Sequence, residues 1–250
     1  NIEKNPPLSE SQQENVDEIL KATNHLIKLI NEILDLSRIE IGRMDLSVEA
    51  VEISKVISES MALVIPLAQQ RGIDISYLWN NKDITLEALF GLNNAVKADF
   101  TRLKQVLVNL LCNAIKYNSD EGKVIVACQQ NTNATRISIS DTGPGLNEEQ
   151  QTHLFKAFDR IGAENSDVEG VGVGLVITKK IVETMGGQLG VQSQPGHGST
   201  FWFELPNDCL PSMADAEEEA TPLATLSSEQ VEHIVLYIED NPANLRLVTQ

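Results

Sequence analysis

The segment Val124-Ile-Val-Ala-Cys128-Gln-Gln-Asn131-Thr-Asn-Ala134-Thr-Arg-Ile137-Ser-Ile139-Ser-Asp141-Thr-Gly143-Pro-Gly145 alternates apolar and polar residues on both sides of a turn-rich centre. Val124, Val126 and Cys128, then Ile137 and Ile139, recur at every second position, the period of a half-buried strand. The segment therefore predicts a hairpin that ends in an acidic turn with two glycines. Just before it, residues 99–117 change to spacings of three and four, with Leu103, Val106, Leu107, Leu110 and Leu111 on one side of an amphipathic helix. Downstream, residues 173–185 predict a second helix that stops at Gly186 and Gly187, and residues 189–194 and 200–205 pair across a turn at 195–198. Upstream, Leu46, Val48 and Val51 alternate as a strand. Residues 54–70 predict a helix with a kink at Pro66 and a stop at Gly72. Ile73, Ile75 and Tyr77 alternate again, while residues 79–94 carry no clear period. Strands interleaved with helices, several in hairpins, predict an α+β fold with a mixed sheet covered by helices rather than a doubly wound parallel sheet.

Residues 11–39 predict one long helix. Val16, Ile19, Leu20, Leu26, Ile27, Ile30, Ile33 and Leu34 form its stripe, and the rows Ile19, Leu26, Ile33 and Leu20, Ile27, Leu34 repeat in sevens. Ser11 with Glu14 is the expected capping box and Gly42 the stop. Two adjacent apolar rows suit a helix bundle, so the helix is expected to find partners elsewhere; a helix lying on its own domain is the alternative. Residues 208–230 carry Pro211, Pro222 and the acids Asp215, Glu217, Glu218 and Glu219 without periodicity, and predict a linker. Residues 234–238 then predict a short apolar strand leading into Glu239 and Asp240.

The chain has 250 residues, 42% hydrophobic, 22% charged and 4% aromatic, enough for one or two domains with a sizeable core. Its 36 acidic against 19 basic residues give a formal charge of −17, which argues against sequence-independent nucleic-acid binding. A polyanionic ligand then requires a locally positive pocket or a metal. No apolar run approaches the ~18 residues of a membrane span, so no membrane contact by this segment is expected. With no leader-like start and Asn at position 1, the chain is expected to be an excerpt. Cys112, Cys128 and Cys209, odd in number and without metal-ligand spacing, fit a reducing compartment. Cys112 and Cys128 are expected to be buried thiols.

Four constellations carry chemistry. In Asn109-Leu-Leu-Cys-Asn113-Ala-Ile-Lys116-Tyr117 both amides project from one helix face, with Lys116 about one turn further. Mg²⁺ takes oxygen ligands and keeps several waters, so one neutral amide oxygen plus phosphate oxygens is a workable set, and Lys116 offsets phosphate charge. Two helix-surface asparagines are the alternative. Asp141 ends a strand ahead of Gly143 and Gly145: a carboxylate there accepts from the exocyclic amine of adenine and repels the oxygen of guanine. The glycines let the backbone approach a flat base, although the same residues also make a competent turn. Gly170-Val-Gly172-Val-Gly174-Leu175 opens a helix whose amides and dipole suit phosphate oxygens. It lacks the Lys-Ser/Thr end of a P-loop and the acidic partner of a dinucleotide unit. Residues 161–168 are expected to form a lid over this cradle, with Arg160 placed to reach phosphates. In Gly196-His-Gly198-Ser-Thr200, Thr200 offers a hydroxyl or simply serves a hairpin.

Taken in order, Asp99-x-x-Arg102-Leu-x-Gln105-Val-Leu-x-Asn109-Leu with Asn113, then Asp141-x-Gly143-x-Gly145, Phe155-x-x-Phe158, Gly170-x-Gly172-x-Gly174-Leu175 and Gly196-x-Gly198-x-Thr200 resemble the N, G1, F, G2 and G3 boxes of sensor histidine kinases. The resemblance covers residues 12 to about 205 and is carried by five motifs in register. The resemblance implies a Bergerat (GHKL-type) α/β sandwich, with a mixed sheet, helices on one face and a long bundle helix before it. It implies ATP and Mg²⁺ as cofactors. Asp141 would read adenine, with Gly143 and Gly145 beside it, and Asn113 would ligate Mg²⁺. Asn109, Lys116, Tyr117 and Arg160 would line or contact the phosphates, Gly170, Gly172, Gly174 and Leu175 would form the hinge and cradle, and Thr200 would contribute to the nucleotide pocket. Phe155 and Phe158 would anchor the lid by packing.

The implied domains are 1–42, the second helix of a dimerisation and phosphotransfer bundle; 43–207, the ATP-binding catalytic domain; 208–230, an acidic linker; and 231–250, the start of a receiver domain. The phosphoacceptor His is expected before Asn1, and the receiver's phosphoacceptor Asp after residue 250, so no catalytic side chain is identified within the chain. The implied function is transfer of the ATP γ-phosphoryl group to that histidine for onward transfer to a receiver aspartate, as part of a hybrid kinase. The implied partners are a second subunit through the 11–39 helix, the phosphoacceptor-His helix, and a receiver domain or response regulator. A cytoplasmic setting is expected, compatible with a membrane anchor upstream in the parent. His25 lacks the acidic neighbour and downstream Pro of an acceptor, and His153, His197 and His233 carry no assigned chemistry. Two alternatives stay open: a GHKL-type ATPase, which resembles this chain but puts Glu where Asn109 stands, and a nucleotide-binding scaffold without transfer.

Overall fold

The structure, a computed structural model, describes residues 9–41, 45–90, 92, 94–157 and 172–208. The receiver-like segment, all but the first residue of the expected linker, Cys209, His233, Phe158, Arg160 and Gly170 lie outside the described residues, as does the side chain of His25.

The hairpin and its neighbours build one sheet from β1 (Glu49–Glu52), β2 (Asp74–Trp79), β3 (Lys82–Ile84), β4 (Ala95–Ala98), β5 (Lys123–Gln130), β6 (Ala134–Asp141), β7 (Gln188–Ser193) and β8 (Ser199–Asp208). The order is β1-β4-β8-β6-β5-β2-β3, with β7 also on β8. Only β2 with β5 is parallel. One edge of β8 is shared: residues 199–204 pair with β7, and residues 207–208 pair with β4. Asp208, expected to open the linker, instead closes this strand.

Helices α2 (Ile53–Gln70), α4 (Phe100–Lys116) and α6 (Gly174–Thr184) form the covering layer, α4 in contact with both others. Val124, Val126, Cys128, Ile137, Ile139, Phe201, Phe203 and Leu205 meet the buried faces of these helices. On α4, Leu103, Val106, Leu107, Leu110 and Leu111 are all buried, each worth about 1.5–3 kcal/mol of transfer free energy. The opposite sheet face is polar, and there Arg136 lies 2.7 Å from Glu204 and 4.0 Å from the Trp202 ring. Two short helices, α3 (Leu86–Leu89) and α5 (Glu148–His153), lie in connections.

The structure corrects several local expectations. The strand expected from Leu46 forms only at Glu49–Glu52, because its partner β4 runs out at Ala98, where Asp99 turns the chain into α4. The unreadable residues 79–94 hold a tight hairpin, with Asn80 and Asn81 at φ 48° and 64°, and then α3, capped by Thr85. Cys128 is buried, and burial pushes its thiol up to about 12, but Cys112 is only half-buried.

The N-terminal helix, α1 (Glu10–Glu40), has its capping box two residues earlier than expected. Ser9 Oγ accepts from Gln12 N, and Gln12 Oε1 accepts from Ser9 N, in place of Ser11 and Glu14. Both apolar rows face outward, with Ile19 at 65% and Ile33 at 51% exposure. Asp35 ties α1 to α4: it accepts from Arg102 Nη1 at 3.2 Å and from Gln105 Nε2 at 3.0 Å.

Arg71, just past α2, satisfies the C-terminal carbonyls of α4. It donates to Ile115 O at 2.6 Å and to Lys116 O and Asn118 O at 2.8 Å, with Asp120 steadying the guanidinium. Helix-end carbonyls otherwise lack partners. Arg71→Ala is expected to lower stability by about 2 kcal/mol, read as a shift of the urea midpoint; an unchanged midpoint would show that water replaces these bonds without cost.

Candidate functional site

The site grows from α4. Asp99 sets where the helix begins: Oδ1 accepts from Arg102 N and Oδ2 from Ser47 N, each at 3.0 Å. With that start fixed, Asn109, Asn113 and Tyr117 follow at steps of four along one face, opposite the buried leucines.

Each end of that face meets a glycine segment. At one end, Asn109 Nδ2 donates to Thr178 Oγ1 at 2.7 Å, and a Cβ on Gly174 would lie 2.9 Å from Asn109 Oδ1. At the other, a Cβ on Gly143 would run into the carbonyl oxygen of Tyr117, and Thr142 Oγ1 donates to Asn118 Oδ1 at 3.1 Å. Asn118, buried, also donates to Lys123 O at 3.0 Å and so clamps the end of α4 to the acidic turn. Asn113, half-buried, lies one turn from each end. The tertiary structure thus brings the asparagine face, the Asp141 turn and the start of α6 to one side of the helical layer.

Asp141 ends β6 on the same side as Ile137 and Ile139. Its Oδ1 accepts from Gly143 N at 2.9 Å and Ser199 N at 3.3 Å. Oδ2 takes no hydrogen bond among the described residues. Partial burial pushes the carboxyl above its ordinary range, and the two backbone N–H groups pull it back down. An unclaimed carboxylate oxygen in a partly desolvated position suits a ligand N–H donor.

Glycines make the close approaches here. At Gly198 (φ +81°) a Cβ would sit on the Asp141 carbonyl oxygen, and at Gly145 (φ +69°) on that of Gln194. Within the chain, Gly143 approaches the end of α4 and Gly145 the β7–β8 turn. Gly172 has φ +77°, and Leu175 packs on the core. Lys116 Nζ is 5.8 Å from the ring of half-exposed Tyr117, and Lys179 Nζ is 5.0 Å from that of Phe155.

Thr200 is placed differently from the expectation. Its Oγ1 is 2.8 Å from Ser140 Oγ, its cross-strand neighbour. Strand alternation puts both on the face away from Phe201 and Asp141, so the neighbouring Ser199, through its N–H, is the residue that touches Asp141. Thr178, Ser199 and Asn118 were missed by sequence reasoning. Alternation from Phe201 could have exposed Ser199, but no local pattern marks the other two. Among the described residues no cluster of three His, Cys, Asp or Glu side chains could hold a metal.

Two families of known sequence match the chain. Residues 98–208 match the histidine kinase-, DNA gyrase B-, and HSP90-like ATPases, and residues 2–42 match the His Kinase A (phospho-acceptor) domain. The circadian input-output histidine kinase CikA of Synechococcus elongatus is 32% identical over 241 residues, covering 95% of this chain and 30% of that protein. Full-length ShkA, solved in complex with AMPPNP, superposes with a TM-score of 0.66 at 28% identity over 82% of this chain and 41% of that one. Histidine kinase ThkA, solved in complex with response regulator protein TrrA, gives a TM-score of 0.59 at 25% identity over 83% of this chain and 55% of that one. The chain thus spans less than a third of the length of CikA, 41% of the ShkA chain and 55% of the ThkA chain.

Proposed function

Because the chain belongs to the sensor histidine kinases, we propose that it forms the ATP-binding catalytic part of such an enzyme and delivers the γ-phosphoryl group to a histidine on a partner helix. The observation that carries this is the convergence on α4: Asn109 against Gly174, Tyr117 against Gly143, and Asn113 between them, with Asp141 Oδ2 unclaimed.

In this reading Asp141 accepts the adenine amine through Oδ2, while the Gly143 and Ser199 N–H groups hold its other oxygen. Asn113 is the Mg²⁺ ligand, Asn109 and Lys116 line the phosphate end, and the first turn of α6 at Gly174 would offer its N–H groups to phosphate oxygens. Mg²⁺, when bound, neutralises triphosphate charge. The chain's own residues position and exclude; a loose phosphoryl-transfer transition state asks little covalent chemistry of them. In the transfer, the bond from the γ-phosphorus to the bridging oxygen breaks, a P–N bond to imidazole forms, and ADP leaves. Asn109 cannot act as the base that a hydrolase needs, since an amide does not take a proton at neutral pH.

Residues 1–42 are the proposed bundle segment, whose exposed rows await the rest of a dimeric bundle. Residues 43–208 are the proposed catalytic domain, 209–230 a linker and 231–250 a receiver start, with a receiver or response regulator as onward acceptor. Among the described residues no helix is long and apolar enough to cross a membrane; Arg160 and Gly170 are proposed as lid and cradle residues.

The test supplies the chain with Mg²⁺ and γ-labelled ATP together with a helix bearing the phosphoacceptor His. The expected result is an acid-labile label on that helix, with negligible free phosphate. Asn113→Ala is expected to raise the Mg²⁺ concentration required by at least about tenfold. Rapid phosphate release without labelled helix would favour an ATPase, and ATP binding with neither product a scaffold.

A further inference from the structure

We infer that Thr178 is a positioning residue that selects which end of the Asn109 amide faces the phosphate region. The inference rests on the proposed reading of α4 and α6 as the Mg²⁺·ATP face, but the hydrogen bonds it starts from do not.

The Thr178 hydroxyl has a single proton. It lies 2.9 Å from the carbonyl oxygen of Gly174, one turn back on α6, and donates there. A hydroxyl with its proton committed can only accept, so the Asn109 atom 2.7 Å away is Nδ2. Thr178 is 2% exposed, which denies its hydroxyl a competing water. The backbone of the neighbouring helix, rather than solvent, therefore sets the amide orientation.

That orientation leaves Asn109 Oδ1 with no hydrogen bond among the described residues, flat against Gly174. A carbonyl oxygen and a phosphate oxygen are both acceptors and cannot pair. What Oδ1 can take is a cation or a donor, which in this site means Mg²⁺ or a water bound to it. The reversed amide would turn its N–H groups toward phosphate but would set its oxygen against the Thr178 lone pair. Thr178 thus assigns Asn109 to the metal rather than to the phosphates, although it touches neither.

Thr178→Val removes the hydroxyl at nearly constant shape, and Thr178→Ser keeps it. In the 250-residue chain without nucleotide, the Asn109 side-chain amide resonances, identified by their loss in Asn109→Asp, are expected to shift in the valine variant and to stay in place in the serine variant. Titration with a fluorescent ATP analogue is expected to show an about tenfold loss for Thr178→Val with Mg²⁺ present, the scale for partners that orient a metal ligand. In EDTA its affinity matches the parent chain, and Thr178→Ser binds normally in both. Unmoved amide resonances, or equal losses with and without Mg²⁺, would overturn the inference and leave Thr178 a packing residue. A parent chain that binds no ATP would instead defeat the proposed function, while the resonances still decide the Thr178–Asn109 bond.

Discussion

Asp141→Asn is expected to weaken ATP binding by about 1–3 kcal/mol, a loss of about 5- to 150-fold at roughly 1.4 kcal/mol per tenfold. The reason is directional as well as electrostatic. Gly143 N and Ser199 N hold one oxygen of the side chain, so in the asparagine variant the amide oxygen stays with them and the NH₂ group replaces Oδ2. It then confronts the adenine amine, donor against donor. The preference for ATP over GTP should narrow in the same titration. The fold itself should not suffer. Burial raises the Asp141 carboxyl, so its contribution to stability is present only while it is protonated, below the pKa it has in the unfolded chain, and is lost as pH rises through the higher pKa it has in the folded one. At neutral pH the ionised group is a cost that asparagine removes, and the melting temperature should hold or rise. For the same reason ATP affinity in the parent chain should decline on acidification beginning above the ordinary carboxylate range. An affinity indifferent to both the substitution and the pH would remove Asp141 from the site.

Gly198→Ala is expected to have the larger effect on the fold. At φ +81° the backbone alone costs an L-residue about 1–3 kcal/mol, and the new methyl would lie on the Asp141 carbonyl oxygen. The β7–β8 turn must shift, and with it Ser199, whose N–H steadies the Asp141 carboxylate and whose hydroxyl lies 3.0 Å from Ser193 Oγ. Both the melting temperature and ATP affinity should fall together, in contrast to Asp141→Asn, where only affinity falls. Gly196→Ala is the control: it carries the same positive φ of 80° but has no atom within 4 Å of the added Cβ, so it should cost stability without the further loss of affinity. Equal affinity losses in the two alanine variants would mean that backbone strain, not the contact with Asp141, governs the turn.

The site was legible to the extent that its residues announce themselves by type and local order. Asn109, Asn113, Asp141 and the glycines stand in motifs, and the helix phase places the two asparagines on one face without knowledge of what lies opposite. The missing pieces share a cause. Ser199 meets Asp141 through its backbone N–H, a contact that no residue type announces. Thr178 looks like any small polar residue inside a helix until Asn109 arrives from 69 positions away. Gly143 and Gly145 mark close approaches by their type, but the elements they approach within the chain, the end of α4 and the β7–β8 turn, are named by no local pattern.

By itself the sequence determined the periods: two in the paired strands, three to four in the helices, seven along the first helix, and with them the α+β class; the resemblance to a family came from the motifs in order. Such periods depend only on residues a turn or a strand apart, so they survive without a partner in view. Only the tertiary structure decided that β4 stops β1 short, that Asp35 meets Arg102, that Arg71 closes the end of α4, and that one amide face looks onto both glycine segments. These contacts join residues dozens of positions apart, and their geometry comes from how the buried faces of α2, α4 and α6 settle on the sheet, which no local pattern contains.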